Sequence, residues 1–247
     1  MLGAKTCNAI SMTQRYFWKL LTRVHKWAGL ILGAQIFVWF MSGFFMTLFP
    51  IDDVRGRHLA EQTEWSLTDI EIIPIELVMD LYLGELTGAT LTSHAGQPAY
   101  ALIGDSGTQL VNARTGENWT PITEKEIGHT ALEYYKGTGK IVHMVRLSDT
   151  PSEYRGKVPV WQVQFNDSSK TRLYLDAETA RLKAVRTKLW RVYDFMWMLH
   201  IMDYTREDDF HSWWLRLAAC LSLLFAISGI LLVIHRLLLR PKTKILT

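Results

Sequence analysis

The sequence predicts a membrane protein of the α+β class, in which two transmembrane helices flank one extracytoplasmic domain. Three observations predict it: an uncharged stretch near the start of the 247-residue chain, another near its end, and β-strand alternation between them. The apolar residues are concentrated in those two stretches, and the formal net charge is only +3. Nucleic-acid-binding domains carry a strong basic excess, so we expect no nucleic-acid partner.

The two apolar stretches have the length of membrane spans. Residues 27–49 form the first predicted span, 23 residues without a charge. At a rise of about 1.5 Å per residue this covers a hydrocarbon core of about 30 Å. It exceeds the apolar core of a cleaved signal peptide, so we predict an uncleaved anchor. The second predicted span is 213–235, and Trp213 and Trp214 at its start suit the membrane interface.

Basic residues predict the orientation of both spans. They gather before the first span and after the second: Lys5, Arg15, Lys19, Arg23, Lys26, Arg236, Arg240, Lys242 and Lys244. The positive-inside rule places such flanks in the cytoplasm. We therefore predict cytoplasmic tails at 1–26 and 236–247, a periplasmic domain at 50–212, and membrane lipid of the bacterial inner membrane as the surroundings of the spans.

The middle of the chain contains an internal repeat. Residues 96–117 resemble residues 157–181: each begins with Pro and an aromatic residue two positions later, and continues as strand, turn, strand and turn. Alternation broken by Gly, Asn, Asp and Ser is typical of β-hairpins. Helical stretches are predicted before each hairpin at 75–86 and 123–135, the second with Thr123 and Glu126 in capping-box spacing. We expect two α+β units, at about 75–118 and 123–185, each with an antiparallel sheet.

These segments resemble a known family. The segment 23–46, RVHKWAGLILGAQIFVWFMSGFFM, resembles the opening helix of the PepSY-associated transmembrane helix family, with its His-[Arg/Lys]-Trp start and Trp-x-x-Ser-Gly core. The segment 199–237 is similar to the closing helix, and the repeats, with an Asp-Ala-x-Thr-Gly-like ending, resemble the PepSY domain. The likeness covers about residues 23–238, and Ala180 stands in the second repeat where the family has glycine.

The resemblance implies two kinds of function. Soluble PepSY modules look like inhibitors or folding aids of secreted peptidases, whereas some membrane relatives look like haem-containing reductases that pass electrons to periplasmic ferric siderophores. Those reductases have four membrane helices. A haem-enclosing bundle built from two helices therefore implies a homodimer or a partner membrane subunit.

Four of the eight histidines lie at or beside the predicted spans. His25 precedes the first span and His235 ends the second, so we predict both at one depth, as axial ligands of the iron of haem b. A six-coordinate haem takes one imidazole from each side. The alternative is that both are interfacial residues that mark the membrane boundary. Small residues on the spans let helices or a porphyrin edge approach: Gly29, Gly33, Ser42, Gly43, Ser228 and Gly229.

His200 and His211 form a second candidate pair for haem or a metal. Eleven residues of straight helix separate two side chains by about 16 Å, too far to share one iron. Binding there requires the acidic loop after His200 to fold back, or a dimer in which each residue pairs with a partner.

A further motif concerns Thr90. The sequence Thr-Gly-Ala-Thr at 87–90 is similar to the segment in which subunits of sodium-pumping quinone reductases carry FMN on threonine. Gly84 stands where an acidic residue is expected, which argues against covalent FMN on Thr90.

No nucleophile motif, metalloprotease motif or nucleotide-binding fingerprint is present, so any enzymatic role must be redox chemistry of a cofactor. We therefore favour haem-based electron transfer from a quinol or a partner subunit to a periplasmic acceptor, as in a ferric reductase. The alternative is a non-enzymatic, membrane-anchored PepSY module that binds or regulates a secreted protein, or an accessory subunit of a larger membrane complex.

Overall fold

The structure is a computed structural model that describes residues 3–62, 71–204 and 211–239, with side chains from residue 12 to residue 237 within those ranges. The predicted cytoplasmic residues 240–247, with Arg240, Lys242 and Lys244, and most of the acidic loop before His211 lie outside it. In chain order the elements are α1 (Gly3–Thr47), α2 (Ile51–Val54), α3 (Ile75–Met79), β1 (Leu86–His94), β2 (Gln97–Gly104), β3 (Gly107–Asn112), α4 (Glu124–Tyr134), β4 (Ile141–Leu147), β5 (Val160–Phe165), β6 (Arg172–Asp176), β7 (Leu182–Arg186), α5 (Lys188–Ile201), α6 (Trp213–Ile234) and a π-helical turn (His235–Leu239).

The chain divides into two compact units. A helix unit consists of residues 1–48 and 194–247, and a sheet unit consists of residues 49–193. The α+β class with two small antiparallel sheets, expected from the sequence, is confirmed.

Two helices of the helix unit are long and apolar enough to cross a membrane, over residues 12–47 and 213–237. Only 6% and 0% of their most apolar windows are buried, and α6 buries no residue at all. A helix that is apolar all round and exposed needs apolar surroundings outside its own chain. The 45 residues of α1 extend over about 68 Å, so the helix runs on through the predicted N-terminal tail.

The first α+β unit packs α3 on one face of the sheet β1-β2-β3. Val78 and Tyr82 contact Tyr100, Leu102 and Val111 in a buried cluster. The helix predicted over 75–86 ends at Met79. The chain turns there, and the ring of Tyr82 packs against the sheet. The Tyr82 hydroxyl donates to the carbonyl of Gly107 at 2.9 Å and accepts from the amide of Ser106 at 3.0 Å, which fixes it to the β2–β3 turn.

The second α+β unit packs α4 on the sheet β4-β5-β6-β7. The predicted capping box is confirmed, since Thr123 and Glu126 exchange side-chain and backbone hydrogen bonds at the start of the helix. The helix buries Ile127 and Ala131 against Val163, Phe165 and Leu173.

The two α+β units contain the same turn, after β3 in the first and after β6 in the second. Asn112 Oδ1 accepts from the amides of residues 114 and 115, and Asp176 Oδ1 accepts from those of residues 178 and 179. The amides of Gly116 and Ala180 then donate back to residues 112 and 176, both at 2.9 Å. Both residues have a positive φ, +77° at Gly116 and +54° at Ala180. The two turns are therefore equivalent, and alanine occupies a left-handed position that favours glycine.

Exchanging the two residues tests this equivalence. Gly116→Ala should destabilise the protein by about 1 kcal/mol, because a Cβ is strained at positive φ. Ala180→Gly relieves that strain but loses a fully buried methyl group worth about 0.8 kcal/mol, so its net effect should be near zero. The midpoint of thermal unfolding, followed by circular dichroism of the full chain in detergent, compares the two variants. An equal decrease of the unfolding midpoint in Gly116→Ala and in Ala180→Gly would show that the two turns are not equivalent.

A largely buried carboxylate in the β4–β5 connection links β6 to α5. Glu153, whose side chain is 12% exposed, forms ion pairs with Arg172 and Arg191 and accepts a hydrogen bond from the Tyr174 hydroxyl at 2.7 Å. Burial would raise the pKa of Glu153, but the hydrogen bonds from Arg172, Tyr174 and Arg191 outweigh it and lower that pKa below its ordinary value. Burial, followed by the bonded carboxylate, raises the pKa of Tyr174.

Candidate functional site

The first candidate site lies where α1 and α6 pack as an antiparallel pair. The imidazole of His25 on α1 bonds through Nδ1 to Ser228 Oγ at 2.7 Å and stacks on Phe225, with ring centroids 4.3 Å apart. A Cβ built at Gly229 would lie 3.0 Å from His25 Cε1, so the absence of a side chain there makes room for the ring. We call these residues the His25 site.

The second candidate site repeats the arrangement with another histidine. His200, at the end of α5, bonds through Nδ1 to the fully buried Ser42 Oγ of α1 at 3.1 Å. A Cβ built at Gly43 would lie 3.3 Å from His200 Cε1. In both cases an imidazole rests on a Ser-Gly pair of a neighbouring helix. We call these residues the His200 site.

An apolar pocket opens beside His200. Its volume is about 550 Å³, and its lining is mostly aromatic and aliphatic: Trp39, Phe40, Trp197, His200, Ile201 and Leu215. Pockets of this size and lining suit a planar apolar cofactor that is oriented by a single polar group.

Counting hydrogen-bond donors indicates which ring nitrogen of each imidazole donates to its serine. A serine hydroxyl has one proton, and in a helix it is commonly given to a carbonyl three or four residues earlier. Ser228 donates to the carbonyl of Phe225 at 2.7 Å, and Ser42 donates to that of Val38 at 2.7 Å. Each Oγ therefore accepts from the histidine, so Nδ1 carries the proton. In a neutral imidazole whose proton is on Nδ1, Nε2 has a lone pair, which is the form in which imidazole binds a metal.

The described part of the chain offers neither histidine the further ligands that a bare metal ion needs. Among the described residues, no group of three or more His, Cys, Asp or Glu side chains could hold a bare metal ion. A porphyrin supplies four nitrogens itself and asks the protein only for axial ligands. Isolated imidazoles with a free Nε2 on an apolar helix pair therefore fit haem better than a bare metal ion.

The two sites are well separated along α1. Seventeen residues separate His25 from Ser42, about 25 Å of helix, which is most of a hydrocarbon core of about 30 Å.

The structure does not bring His25 and His235 to one depth, so this part of the sequence prediction is wrong. His235 stacks on Trp18, with ring centroids 3.8 Å apart. Trp18 precedes His25 by seven residues on α1, and His235 follows Ser228 by seven residues on α6. Seven residues correspond to about 10 Å along each helix. This offset places the imidazoles of His25 and His235 too far apart to face each other across one iron. The register that produces it packs Phe225 against Gly29.

Comparison with known proteins gives no further guide. No family model, no curated protein and no solved structure matches this chain. The PepSY resemblance remains a prediction that rests on the motifs quoted above.

The other histidines have ordinary surroundings. His58 and His129 lie at the surface near Asp53 and Glu133, and His143 is exposed on β4. His94 is only 4% exposed beside Trp119, and burial lowers its pKa, so it is a neutral residue of the core.

His211, the predicted partner of His200, is exposed two residues before α6. The sequence prediction missed Ser42 as the residue that holds His200. The sequence feature that could have indicated Ser42 is the Ser-Gly pair present in each span, at 42–43 and at 228–229.

A second pocket, of about 380 Å³, lies between the two sheets of the sheet unit. Threonines from both α+β units line it, together with basic and acidic residues of the second unit: Thr90, Thr108, Thr179, Lys157, Arg181, Lys183, Asp176 and Glu178. Thr90 is exposed on β1, and the covalent FMN that Gly84 argues against is not tested by this exposure. We call this pocket the inter-sheet cleft.

Proposed function

We propose that this protein is an inner-membrane PepSY protein that binds haem b and transfers electrons from a quinol or a partner subunit to a periplasmic acceptor, as a ferric reductase does. One observation carries the proposal: on apolar helices, His25 and His200 each bond through Nδ1 to a serine that also bonds to a carbonyl of its own helix. In the neutral imidazole this arrangement leaves Nε2 to bind a metal. The sites are separated by most of the thickness of a bilayer, which suits transfer across it.

The proposal includes insertion in the membrane with both ends of the chain in the cytoplasm. It is supported by exposed basic residues on the N-terminal half of α1, Arg15, Lys19, Arg23 and Lys26, and by the exposed apolar surface of α6. Trp213 and Trp214, stacked and more than half exposed, suit the opposite interface. In this topology the His25 site lies near the cytoplasmic face and the His200 site near the periplasmic face.

The chain's own residues position and insulate the cofactor. Nε2 of His25 and of His200 would each hold a haem iron, and haem would supply one-electron transfer. Ser228 and Ser42 hold each ring in its orientation, and the Nδ1–H bond makes Nε2 a better electron donor to a metal. Phe225 stacks on the imidazole at the first site, and Trp39 and Trp197 give the second site an apolar lining.

An optical spectrum of the detergent-purified protein, oxidised and then reduced with dithionite, tests the proposal. We expect a Soret band that shifts on reduction and sharp α and β bands, the signature of low-spin haem. A colourless protein after expression with ample haem supply would contradict the proposal.

A second candidate function is a non-enzymatic, membrane-anchored binding or regulatory module, alone or within a larger membrane complex. The inter-sheet cleft favours this second function. No histidine lines the cleft, so a partner could bind there without haem. Capture of a stoichiometric secreted partner by the colourless chain, lost in Lys157→Glu/Arg181→Glu, would support this function.

A further inference from the structure

We propose that the basic end of the helix pair binds an anionic phospholipid, with the lipid headgroup on α1 and the acyl chains along α6. The inference goes beyond the proposed function. It requires that the two spans lie in a membrane, but it holds whether or not haem binds.

Four basic residues of α1 lie on one face of the helix. They follow one another at spacings of four, four and three residues, which place them within about 80° of the helix circumference: Arg15, Lys19, Arg23 and Lys26. We call these residues the basic stripe. All four are exposed, and none forms an ion pair with another described residue. Neither α1 nor α6 contains Asp or Glu, so any counter-charge must come from outside the pair.

The register of the helix pair places the basic stripe at the level of apolar surface. The contacts of His25 with Ser228 and of Trp18 with His235 set this register. The last three residues of the stripe are then level with three exposed isoleucines of α6: Ile234, Ile230 and Ile227. Because α6 is apolar all round at this level, the stripe adjoins apolar surface on whichever side of the pair it lies.

The same register staggers the uncharged segments of the two helices. The segment of α6, residues 217–235, is level with residues 18–36 of α1, whereas the uncharged segment of α1 starts only at residue 27. The stagger is about 13 Å along the helix axes. A flat hydrocarbon layer that covers α6 therefore also covers charged residues of α1, which is costly unless their long side chains reach anionic groups.

An anionic phospholipid has both parts that this surface requires. Its phosphate accepts charge-assisted hydrogen bonds from Lys and Arg, and its acyl chains cover the apolar side of α6. Clusters of four or more Lys and Arg residues beside a membrane span attract anionic lipids in this way. A zwitterionic lipid offsets its phosphate with its own cationic amine, so it should bind more weakly.

Lipid competition on the full chain tests the inference. The protein in neutral detergent is titrated with phosphatidylglycerol or phosphatidylcholine of identical acyl chains, and bound lipid is counted by native mass spectrometry. We expect phosphatidylglycerol to bind about tenfold more tightly or better, and 0.5 M salt to weaken this preference. Lys19→Gln/Arg23→Gln should lower the affinity for phosphatidylglycerol roughly 25-fold, about fivefold for each charge removed.

The matched control is Arg216→Gln, which removes an exposed arginine from the opposite end of α6 and should leave the binding of phosphatidylglycerol unchanged. Soluble glycerol phosphate, which has the charge without the acyl chains, should not compete at equal concentration. Equal binding of the two lipids by the wild type at low salt, unchanged binding in Lys19→Gln/Arg23→Gln, or full competition by glycerol phosphate would overturn the inference. The haem spectrum is a separate readout, so failure of the lipid site leaves the proposed function intact, and a colourless protein leaves the lipid site intact.

Discussion

Replacing His25 or His200 with alanine in every copy is expected to halve the haem bound per chain, and replacing both is expected to give a colourless protein. In the proposed function each imidazole is the haem ligand at its own depth, and the two depths are about 25 Å apart along α1. Loss of one site should therefore leave the other unchanged. The measurement is the haem-to-protein ratio of purified protein, with the reduced spectrum showing which site remains.

Two control variants sharpen this prediction. His235→Ala removes a histidine of the same helix pair that stacks on Trp18, and His143→Ala removes one exposed on β4. Both should retain full haem content. Loss of haem in His235→Ala together with full retention in His25→Ala would assign the ligand to His235 instead.

Replacing Glu153 with alanine should cost about 3 kcal/mol of unfolding free energy at neutral pH. Removing one partner of a buried ion pair leaves the other charge unpaired, which costs about 3–5 kcal/mol. The low end applies because the side chains of Arg172 and Arg191 keep 33% and 29% of their surface in water. Denaturant unfolding of the full chain in detergent, followed by tryptophan fluorescence, measures the loss.

The effect of Glu153 should also depend on pH. Its pKa is lowered in the folded protein, so the stability it contributes is fully present above its ordinary pKa and is lost as the pH falls through the lowered folded value. The stability difference between wild type and Glu153→Gln should therefore shrink below about pH 4. Glu61→Gln, which removes an exposed partner of Lys136, serves as the control and should change stability little at any pH. A constant difference for Glu153→Gln down to pH 2 would contradict the assigned network.

Local signals in the sequence predicted much of the fold. Thr123 and Glu126 predicted the start of α4 because a capping box is a contact within one helical turn. Proline, aromatic and turn residues predicted β2, β3, β5 and β6, since hairpins are also local. The helix predicted over 75–86 was too long because Tyr82 bonds to the turn near Gly107, 25 residues further along the chain.

The candidate site was predicted only in part. His25 stood out through its motif, but its partner Ser228 lies 203 residues away, and hydropathy carries no information on the register of two packed helices. The register depends on which bulky residue meets which small one, here Phe225 at Gly29. The same limit explains why His200 was paired with its sequence neighbour His211 and not with Ser42, 158 residues away.

The serine protons also determine how the protein would acquire its cofactor. Because Ser42 and Ser228 each give their proton to a carbonyl of their own helix, both imidazole rings are oriented before any ligand arrives. Binding to such a preorganised site does not pay for ordering the side chains. If the proposed function holds, the helices would therefore insert first and haem would bind late, limited by the supply of haem rather than by folding.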